Sequence, residues 1–240
     1  MRNWLFTTEP KRPQYYNGIL IHADTLLHEQ AMELIQRHVA SGSTILDLGA
    51  GAGAFSLRLA HAGYRVVASD VDLANWALDT SIPFIRLDIN AGIRASLQQQ
   101  FDAVCCLEVI EHIENPWSLL RDIRSIVKPG GKLILSTPNI TSFFSRLTFL
   151  RTGLFHQFGP EDLSYGHINP ISAFEMQIIA DRCGWRMLEI QPGGYLPIFD
   201  LSSLALKNLC LNVLRGIVFL LSAKGQKQGW CLLFVMENPQ

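Results

Sequence analysis

The stretch ILDLGAGAGAF, residues 45–55, constrains the fold of this chain more than any other part of the sequence. A short apolar run ends near Asp47, three alternate glycines follow, and a helical pattern begins at Ala54. Glycine has no Cβ and adopts positive φ freely, so such a turn can reverse sharply and let a ligand approach the backbone. A strand, a glycine-rich turn and a helix in this order predict a nucleotide-type α/β unit.

The rest of the chain repeats this alternation. Apolar runs and helical patterns follow one another from residue 44 onward as TILDL, AFSLRLAHAG, RVVASD, LANWAL, FIRLD, AVCCLE, WSLLRDIRSIVKPGG and KLILSTPN. This order is typical of right-handed strand–helix–strand units and a parallel sheet. The runs at 104–107 and 133–135 lack polar alternation, which indicates strands covered on both faces.

Elements on either side complete the predicted domain. A covering helix is expected to begin at Asp24 or Thr25 and to end at Gly42. After residue 139 we predict a helix in SFFSRLTFLRTG, and a second helix with Asn169 as its N-cap, Pro170 in its first turn and Gly184 at its end. RMLEIQ and WCLLFVMEN then predict two late strands, separated by an apolar insertion.

Charge and cysteine content limit the function classes. The chain carries 20 Lys and Arg against 21 Asp and Glu, so nucleic acid is an unlikely partner. The five cysteines are odd in number and lack the spacing of a zinc or disulfide framework, which predicts reduced core residues in a cytoplasmic protein. The N-terminal stretch has no apolar segment typical of a signal peptide, so export is not expected.

The glycine pattern alone leaves two cofactor classes open. Gly49, Gly51 and Ala54 also satisfy the G-x-G-x-x-[GA] form of dinucleotide-binding proteins, so a nicotinamide-dependent oxidoreductase is an alternative. Asp47 favours the other class, because a carboxylate two residues before the first glycine repels a diphosphate and attracts a cationic aminoacyl or sulfonium group.

Five ordered blocks carry a family resemblance. ILDLGAGAGAF, VVASDVD, IRLDI, FDAVCCLEVIEHI and IVKPGGKLILSTPN together resemble the class I S-adenosylmethionine-dependent methyltransferases over about residues 25–190. The chain is most similar to ubiquinone-biosynthesis-type O-methyltransferases that share an E-x-x-E-H segment. The resemblance implies an α/β fold with a Rossmann-like doubly wound sheet of about seven strands, mostly parallel with an antiparallel final strand, plus a helical insertion before that strand.

The resemblance also implies one methyltransferase domain over residues 1–240. Residues 1–43 would form an N-terminal lid and the covering helix, 44–140 the cofactor-binding half, and 141–240 the substrate-side half with the apolar insertion at 196–222. The lid hypothesis rests on Trp4, Phe6, Tyr15, Tyr16 and His22.

Cofactor contacts are carried over position by position. Asp47 would lie near the ammonium group of S-adenosylmethionine, Asp70 would accept both ribose hydroxyls, and Asp88 would accept the adenine amino hydrogen. The full implied set is Asp47, Gly49, Ala50, Gly51, Gly53, Asp70, Val71, Asp88, Ile89, Leu107 and Glu108. Taken singly, Asp70 and Asp72 could be helix N-caps and Asp88 a loop acid.

The segment LEVIEHIENP, residues 107–116, follows a predicted buried strand. Glu108, Glu111 and His112 have i, i+3, i+4 spacing and are our candidate catalytic residues. With His167 they form a candidate site for Mg²⁺ or Mn²⁺, which would lower the pKa of a substrate hydroxyl. His112 as a metal-free general base and a purely structural turn are the alternatives.

These residues predict methyl transfer from S-adenosylmethionine to a hydroxyl of a small molecule or glycan. A metal-assisted RNA 2′-O-methyltransferase and a non-catalytic, cofactor-binding partner subunit are the alternatives. The insertion at 196–222 could serve as a substrate cap, as a homodimer surface, or as a peripheral contact with the inner face of the membrane. No uncharged stretch of it reaches the length of a transmembrane helix.

Overall fold

A seven-stranded sheet forms the centre of the protein in a computed structural model that describes residues 6–7, 13–78, 82–94, 96–196, 199–200, 206–221 and 229–239. In chain order its strands are β4 (Thr44–Leu48), β5 (Arg65–Asp70), β6 (Phe84–Arg86), β7 (Phe101–Cys106), β8 (Val127–Pro138), β9 (Arg186–Gly193) and β11 (Cys231–Glu237).

Strand order confirms the predicted sheet. The strands lie in the order β6-β5-β4-β7-β8-β11-β9, and β4 to β8 are parallel to one another. β11 inserts between β8 and β9 and is antiparallel to both. The order reverses at β4, whose neighbours are β5 and β7, and ligands of open α/β sheets bind at such a switch point.

Six helices are described: α1 (Leu27–His38), α2 (Ala54–His61), α3 (Pro116–Ile126), α4 (Phe143–Thr152), α5 (Ala173–Arg182) and α6 (Leu206–Leu221). α1 and α2 cover one face of the sheet, and α3 and α5 cover the other. Neighbours such as Ile45 and Leu46 point into opposite core layers and are both fully buried, which explains why the strands read as continuous apolar runs.

Two small pairs of strands lie outside the main sheet. β2 (Gln14–Tyr16) and β3 (Ile19–Ile21) form a hairpin against α2, where the Tyr16 hydroxyl is 3.0 Å from Nδ1 of His61 and the Arg58 guanidinium lies over the Tyr16 ring. β1 (Phe6–Thr7) pairs with β10 (Phe199–Asp200). The expectations for Trp4 and for the Phe6 side chain lie outside the described part of the chain.

Three predicted helices differ from the structure. The covering helix begins at Leu27 after Leu26, which has a φ of 69°, and it ends at His38 instead of Gly42. The carboxylate of Asp24 accepts the Tyr195 N–H instead of capping the helix. LANWAL forms only a 3-10 turn at Leu73–Asn75.

The third error concerns α5. Its N-cap is Ser172, whose hydroxyl accepts the Glu175 N–H at 3.1 Å. The predicted cap, Asn169, instead donates its side-chain N–H to the carbonyl of Ile113 and so ties two loops together. The sequence placed the helix three residues early because Asn169 and Pro170 also fit a helix start.

Four of the five cysteines are buried as predicted, and Cys210 on α6 is exposed. No helix among the described residues has the length and apolarity that crossing a bilayer requires.

Candidate active site

The glycine turn connects β4 to α2 and is held by the neighbouring strand. The N–H groups of Gly49 and Ala50 both donate to the carbonyl of Ser69, at 2.8 and 2.9 Å, and the Gly51 N–H donates to Oδ2 of Asp70 at 2.8 Å. The turn therefore has a fixed shape that depends on the end of β5.

Two of the glycines are required for different reasons. Gly49 has a φ of 81°, and a Cβ at this position would lie 2.4 Å from Cγ2 of Val109. Gly51 has a φ of 53° but faces open space. Gly49 is thus the point where the cofactor turn packs against the loop that follows β7, while Gly51 leaves room beside the backbone.

Asp47 is buried within β4 and receives a 2.5 Å hydrogen bond from the Ser56 hydroxyl. Burial raises the pKa of Asp47 to about 6, partly offset by the Ser56 bond, and the Asp70 carboxylate raises it further. Asp47 is therefore mostly ionised at pH 7 and can attract a cationic group.

The other two strand-tip acids support their own loops. Asp70 accepts the N–H groups of Gly51 and Asp72, and Asp88 accepts the N–H of Asn90. A carboxylate has about four acceptor positions, so these caps leave capacity for a ligand. Asp70 and Asp88 can therefore each cap a loop and still accept a hydrogen bond from a cofactor. The side chains expected to flank adenine, Val71 and Ile89, directly follow these acids, and Val71 is 55% exposed.

A cleft opens at this edge beside the glycine turn. Asp47, Gly49 to Gly51, Leu107 and Glu108 line it, as predicted for the cofactor site. Its remaining lining residues are Leu20, His22, Ala23, His28, Ala52, Ala54 and Phe55. His22, which follows the β2–β3 hairpin, is the residue of the lid hypothesis that lines the cleft, and the lid itself stays a prediction. Gly53, Asp70 and Asp88 lie outside the cleft lining.

His28 is a lining residue that the sequence reading missed. It is buried in the first turn of α1, with its ring 4.8 Å from that of Phe55. Burial, and then the nearby Arg58 guanidinium, lower the pKa of His28 to about 3, so the imidazole is neutral. Its position on an apolar helix face gave no sequence signal that distinguished it from a core residue.

Glu108 follows β7 with a φ of 53°, a left-handed conformation that is uncommon for a residue other than glycine. Its N–H donates to the Ser136 hydroxyl at 2.9 Å, and this hydroxyl donates back to Oε1 at 2.7 Å. Cys231 on β11 donates its S–H to Oε2 at 3.2 Å. Burial raises the pKa of Glu108, and these contacts direct its carboxylate to the cleft.

Glu111, His112 and His167 form a second cluster, which we call the acid–histidine corner. One donor atom from each residue lies within 4.8 Å of the others, and the two imidazole rings are 4.7 Å apart. Glu108 is not a member, because the intervening residues form a short 3-10 turn, Ile110–His112, and Ser136 holds Glu108 away. The structure therefore brings together three of the four predicted metal ligands.

Backbone hydrogen bonds join the two halves of the corner. The N–H groups of Ile168 and Asn169 donate to the Glu111 carbonyl at 2.9 and 3.0 Å. Nδ1 of His167 lies 2.8 Å from the Gln157 carbonyl and so carries the proton, which leaves Nε2 as an acceptor. A carbonyl that fixes the tautomer in this way is common for catalytic and metal-binding histidines.

The charge state of the corner is unusual. Glu111 is fully buried, and its carboxylate oxygens make no hydrogen bond of regular geometry among the described residues; the nearby Thr137 hydroxyl only partly offsets the effect of burial on its pKa. Burial and then the nearby Glu108 carboxylate raise the pKa of Glu111 well above its ordinary value. Burial and His167 lower the pKa of His112, which favours a neutral imidazole. Both groups are thus held in their neutral forms: the His112 imidazole can accept a proton, and the Glu111 carboxyl can hydrogen-bond to a polar ligand or ionise when a cation binds.

The family model described as "Methyltransferase domain" matches residues 23–190 of this chain. The match includes the glycine turn, all three strand-tip acids and the acid–histidine corner.

Two curated relatives share one name. The ubiquinone biosynthesis O-methyltransferase of Xanthomonas axonopodis pv. citri is 36% identical over 108 residues, which cover 42% of this chain and 45% of that protein. The protein of the same name from Xanthomonas campestris pv. campestris (strain B100) is 32% identical over 146 residues, covering 58% of this chain and 57% of the relative. The chain thus spans about half the length of these relatives.

Solved structures share the fold. A SAM-dependent methyltransferase from Archaeoglobus fulgidus aligns with a TM-score of 0.61 at 16% identity, over 88% of this chain and 93% of that one.

Proposed function

This chain belongs to the methyltransferase-domain family, and from that premise we propose that it transfers a methyl group from S-adenosylmethionine to a hydroxyl oxygen of a small molecule or glycan. The observation that carries the proposal is the shared edge of the sheet. Asp47, Asp70 and Asp88 belong to three successive strand ends there, and the acid–histidine corner follows the next strand.

The acids support a cationic donor. Asp47 is ionised above its pKa of about 6 and lies in the cleft, where it favours a ligand that carries an ammonium and a sulfonium group. Asp70 has a fixed carboxylate and free acceptor capacity, which suits a pair of ribose hydroxyls. A dinucleotide would bring its diphosphate against Asp47, so the oxidoreductase alternative is disfavoured.

The corner supports a hydroxyl acceptor. In methyl transfer an O–C bond forms as the C–S bond breaks, the electron pair goes to sulfur, and the hydroxyl proton goes to a base. His112 is held neutral, so it can accept this proton, and Glu111 can hydrogen-bond to the acceptor. The two relatives above are named as O-methyltransferases, which supports oxygen as the acceptor atom.

A divalent cation is the alternative use of the same corner. A buried carboxylate and two imidazoles, Glu111, His112 and His167, fit such an ion, and the two nitrogen donors suit Mn²⁺ better than Mg²⁺. A bound cation would stabilise the alkoxide form of the acceptor. In that case His112 is a ligand and the proton leaves to solvent.

Calorimetry tests the cofactor. S-Adenosylhomocysteine should bind and NAD should not, and the reverse result would refute the proposal. Turnover is then measured as release of S-adenosylhomocysteine with catechol, a phenol that lacks the second hydroxyl, and a sugar diol as acceptors. Binding without turnover of any acceptor, with the wild type and the H112A variant alike, would support the non-catalytic alternative.

Chelation of metal ions distinguishes the two roles of His112, as a general base or as a metal ligand. If His112 is the base, EDTA leaves the rate unchanged and H167A retains most of the activity. If the corner holds a cation, EDTA abolishes turnover, Mn²⁺ restores it, and H112A and H167A lose it equally. His61, which lies on α2 and contacts Tyr16, provides the matched control H61A.

A further inference from the structure

Helix α6 is apolar on the side that faces away from the protein. Leu209, Val213, Ile217 and Leu220 are 59%, 58%, 49% and 81% exposed, and their spacing of four, four and three residues places them in one stripe. A helix that faces water on one side normally shows the opposite arrangement, with its polar side outward.

The inward side of α6 is the polar one. Asn212 is 6% exposed, and Arg215 donates to its side-chain oxygen at 3.4 Å. The Arg215 guanidinium also lies 5.6 Å from the centre of the Phe144 ring, and Gly216 approaches Phe199 so closely that a Cβ would be 3.2 Å away. These contacts fix the rotation of the helix and keep its apolar stripe outward.

Helix α4 packs against α6 and extends the apolar surface. Phe149, Leu150 and Leu154 are 45%, 79% and 42% exposed, and the Phe149 ring stacks on Phe155. We call the combined surface the α4–α6 face; its members are Phe149, Leu150, Leu154, Leu209, Val213, Leu214, Ile217 and Leu220. Exposed apolar residues on two helices that pack together are typical of a docking site.

The charge pattern of these segments identifies the occupant. Residues 140–158 contain two arginines, residues 201–228 contain one arginine and three lysines, and neither stretch contains an aspartate or a glutamate. The whole chain has a net charge of −1, so this local excess of cations is an exception. An apolar surface whose two segments carry cations and no acid in their sequence is complementary to an anionic lipid surface, into which apolar side chains insert.

We propose that the α4–α6 face docks the protein onto an anionic lipid bilayer. A second copy of the chain is a poorer occupant, because a two-fold contact through this face would set its cations against the same cations of the partner.

A second exposed apolar patch has the opposite charge pattern and serves as an internal control. Leu163, Tyr165 and Phe174 are 60%, 75% and 76% exposed. Acids adjoin them in sequence, namely Glu161, Asp162 and Glu175. An anionic bilayer would repel this patch, so apolar exposure alone does not make it a docking surface.

The docking face connects to the acid–histidine corner through one segment. The loop after α4 contains His156, whose N–H donates to the Ser145 hydroxyl of α4 at 3.2 Å, and Gln157, whose carbonyl lies 2.8 Å from Nδ1 of His167. An acceptor dissolved in the bilayer would therefore meet the protein on the segment that shapes the corner. The proposal does not depend on methyl transfer, since lipid binding can be measured without turnover.

Vesicle flotation of the full chain tests the proposal. We expect flotation with vesicles of phosphatidylcholine mixed with phosphatidylglycerol, much weaker flotation with phosphatidylcholine alone, and weakening by high salt. The double variant L150N/L220N should bind the anionic vesicles about tenfold or more weakly, because each leucine loses its apolar insertion. F174N, at a similarly exposed residue, should bind like the wild type.

Thermal melting and calorimetry with S-adenosylhomocysteine show whether the variants remain folded. Equal loss of flotation in F174N and in the double variant would refute the proposal, as would failure of the wild type to bind anionic vesicles. A dimer in light scattering that L150N/L220N dissociates, without vesicle binding by the wild type, would assign the face to a second copy and would also refute it.

Discussion

The carboxyl groups at the two ends of the candidate site differ in their hydrogen bonding. On the cofactor side, Asp47, Asp70 and Asp88 each accept hydrogen bonds from their own surroundings. In the acid–histidine corner, Glu111 is more deeply buried than any of them and makes no hydrogen bond of regular geometry among the described residues. The cofactor side is therefore preorganised by the protein alone, whereas the corner is complete only with a proton, a cation or an acceptor.

The acids at the two ends should therefore respond differently to substitution. Removing an acid on the cofactor side removes a ligand contact and a structural cap together. Replacing the carboxyl of Glu111 removes a group that is costly to ionise in its buried position and that makes no regular hydrogen bond among the described residues. The experiments below test this contrast, from the largest expected effect to the smallest.

The largest effect is expected for Glu111→Gln. Turnover should fall about 100-fold or more, because an amide can neither ionise to bind a cation nor donate the carboxyl O–H to the acceptor. Binding of S-adenosylhomocysteine should stay close to that of the wild type. A variant with full turnover would show that Glu111 has no role in the reaction.

The same variant should alter the pH dependence of stability. Burial raises the pKa of Glu111 in the folded state, so above the unfolded pKa the unfolded chain releases a proton that the folded chain retains. The free energy of unfolding of the wild type should therefore fall as pH rises from about 5 to 8, and more steeply than that of E111Q. Equal pH slopes of the free energy of unfolding in the wild type and E111Q would show that Glu111 does not have a raised pKa in the folded state.

Substitution in the glycine turn should be next in size. Gly49→Ala combines positive φ with a clash against Val109 and should cost about 3 kcal/mol of stability. Gly51→Ala carries the φ strain without a clash and should cost only about 1 kcal/mol. Chemical denaturation measures both. Equal losses would mean that the contact with Val109 is unimportant.

Asp70→Ala should weaken S-adenosylhomocysteine binding about 30-fold, because two charge-assisted hydrogen bonds to the ribose and the support of the Gly51 N–H are lost. Asp88→Ala should have a smaller effect, since Asp88 is exposed and would contact only the adenine amino group. Calorimetry compares the two. A larger effect at Asp88 would contradict the assignment of the strand ends.

The last prediction is the pH dependence of S-adenosylhomocysteine binding that Asp47 causes. Because the pKa of Asp47 is raised to about 6, the carboxyl becomes protonated below that pH and no longer attracts an ammonium group. Affinity for S-adenosylhomocysteine should therefore fall about tenfold from pH 7.5 to about pH 5 in the wild type and should change less in D47N. Stability should move the other way, falling as pH rises from about 4 to about 6.

The sequence predicted the cofactor side well because each of its signals is local. Glycines, strand ends and following acids lie within a few residues of one another, so the β4–α2 turn and the position of Asp70 could be read directly. The acid–histidine corner depends on long-range contacts. Its membership was only partly predicted, because Ser136 on β8 holds Glu108 away from the corner while Gln157 orients His167 within it.

Errors at helix starts have the same origin. Asn169 is a suitable N-cap by type, yet its side chain is used by Ile113, 56 residues earlier in the chain. His28 was missed because only the tertiary structure places a helix residue of α1 beside the glycine turn. Local propensity cannot anticipate a partner that another part of the chain supplies.

The position of β11 has a consequence for how the protein is made. β9 leaves the ribosome before β11, yet it joins the sheet only through β11, which lies between it and β8. A nascent chain that ends before residue 231 therefore exposes the apolar edge of β8 and has no native position for β9. Until β11 inserts, the unpaired edge of β8 can form non-native strand pairs, and binding of a chaperone would prevent them.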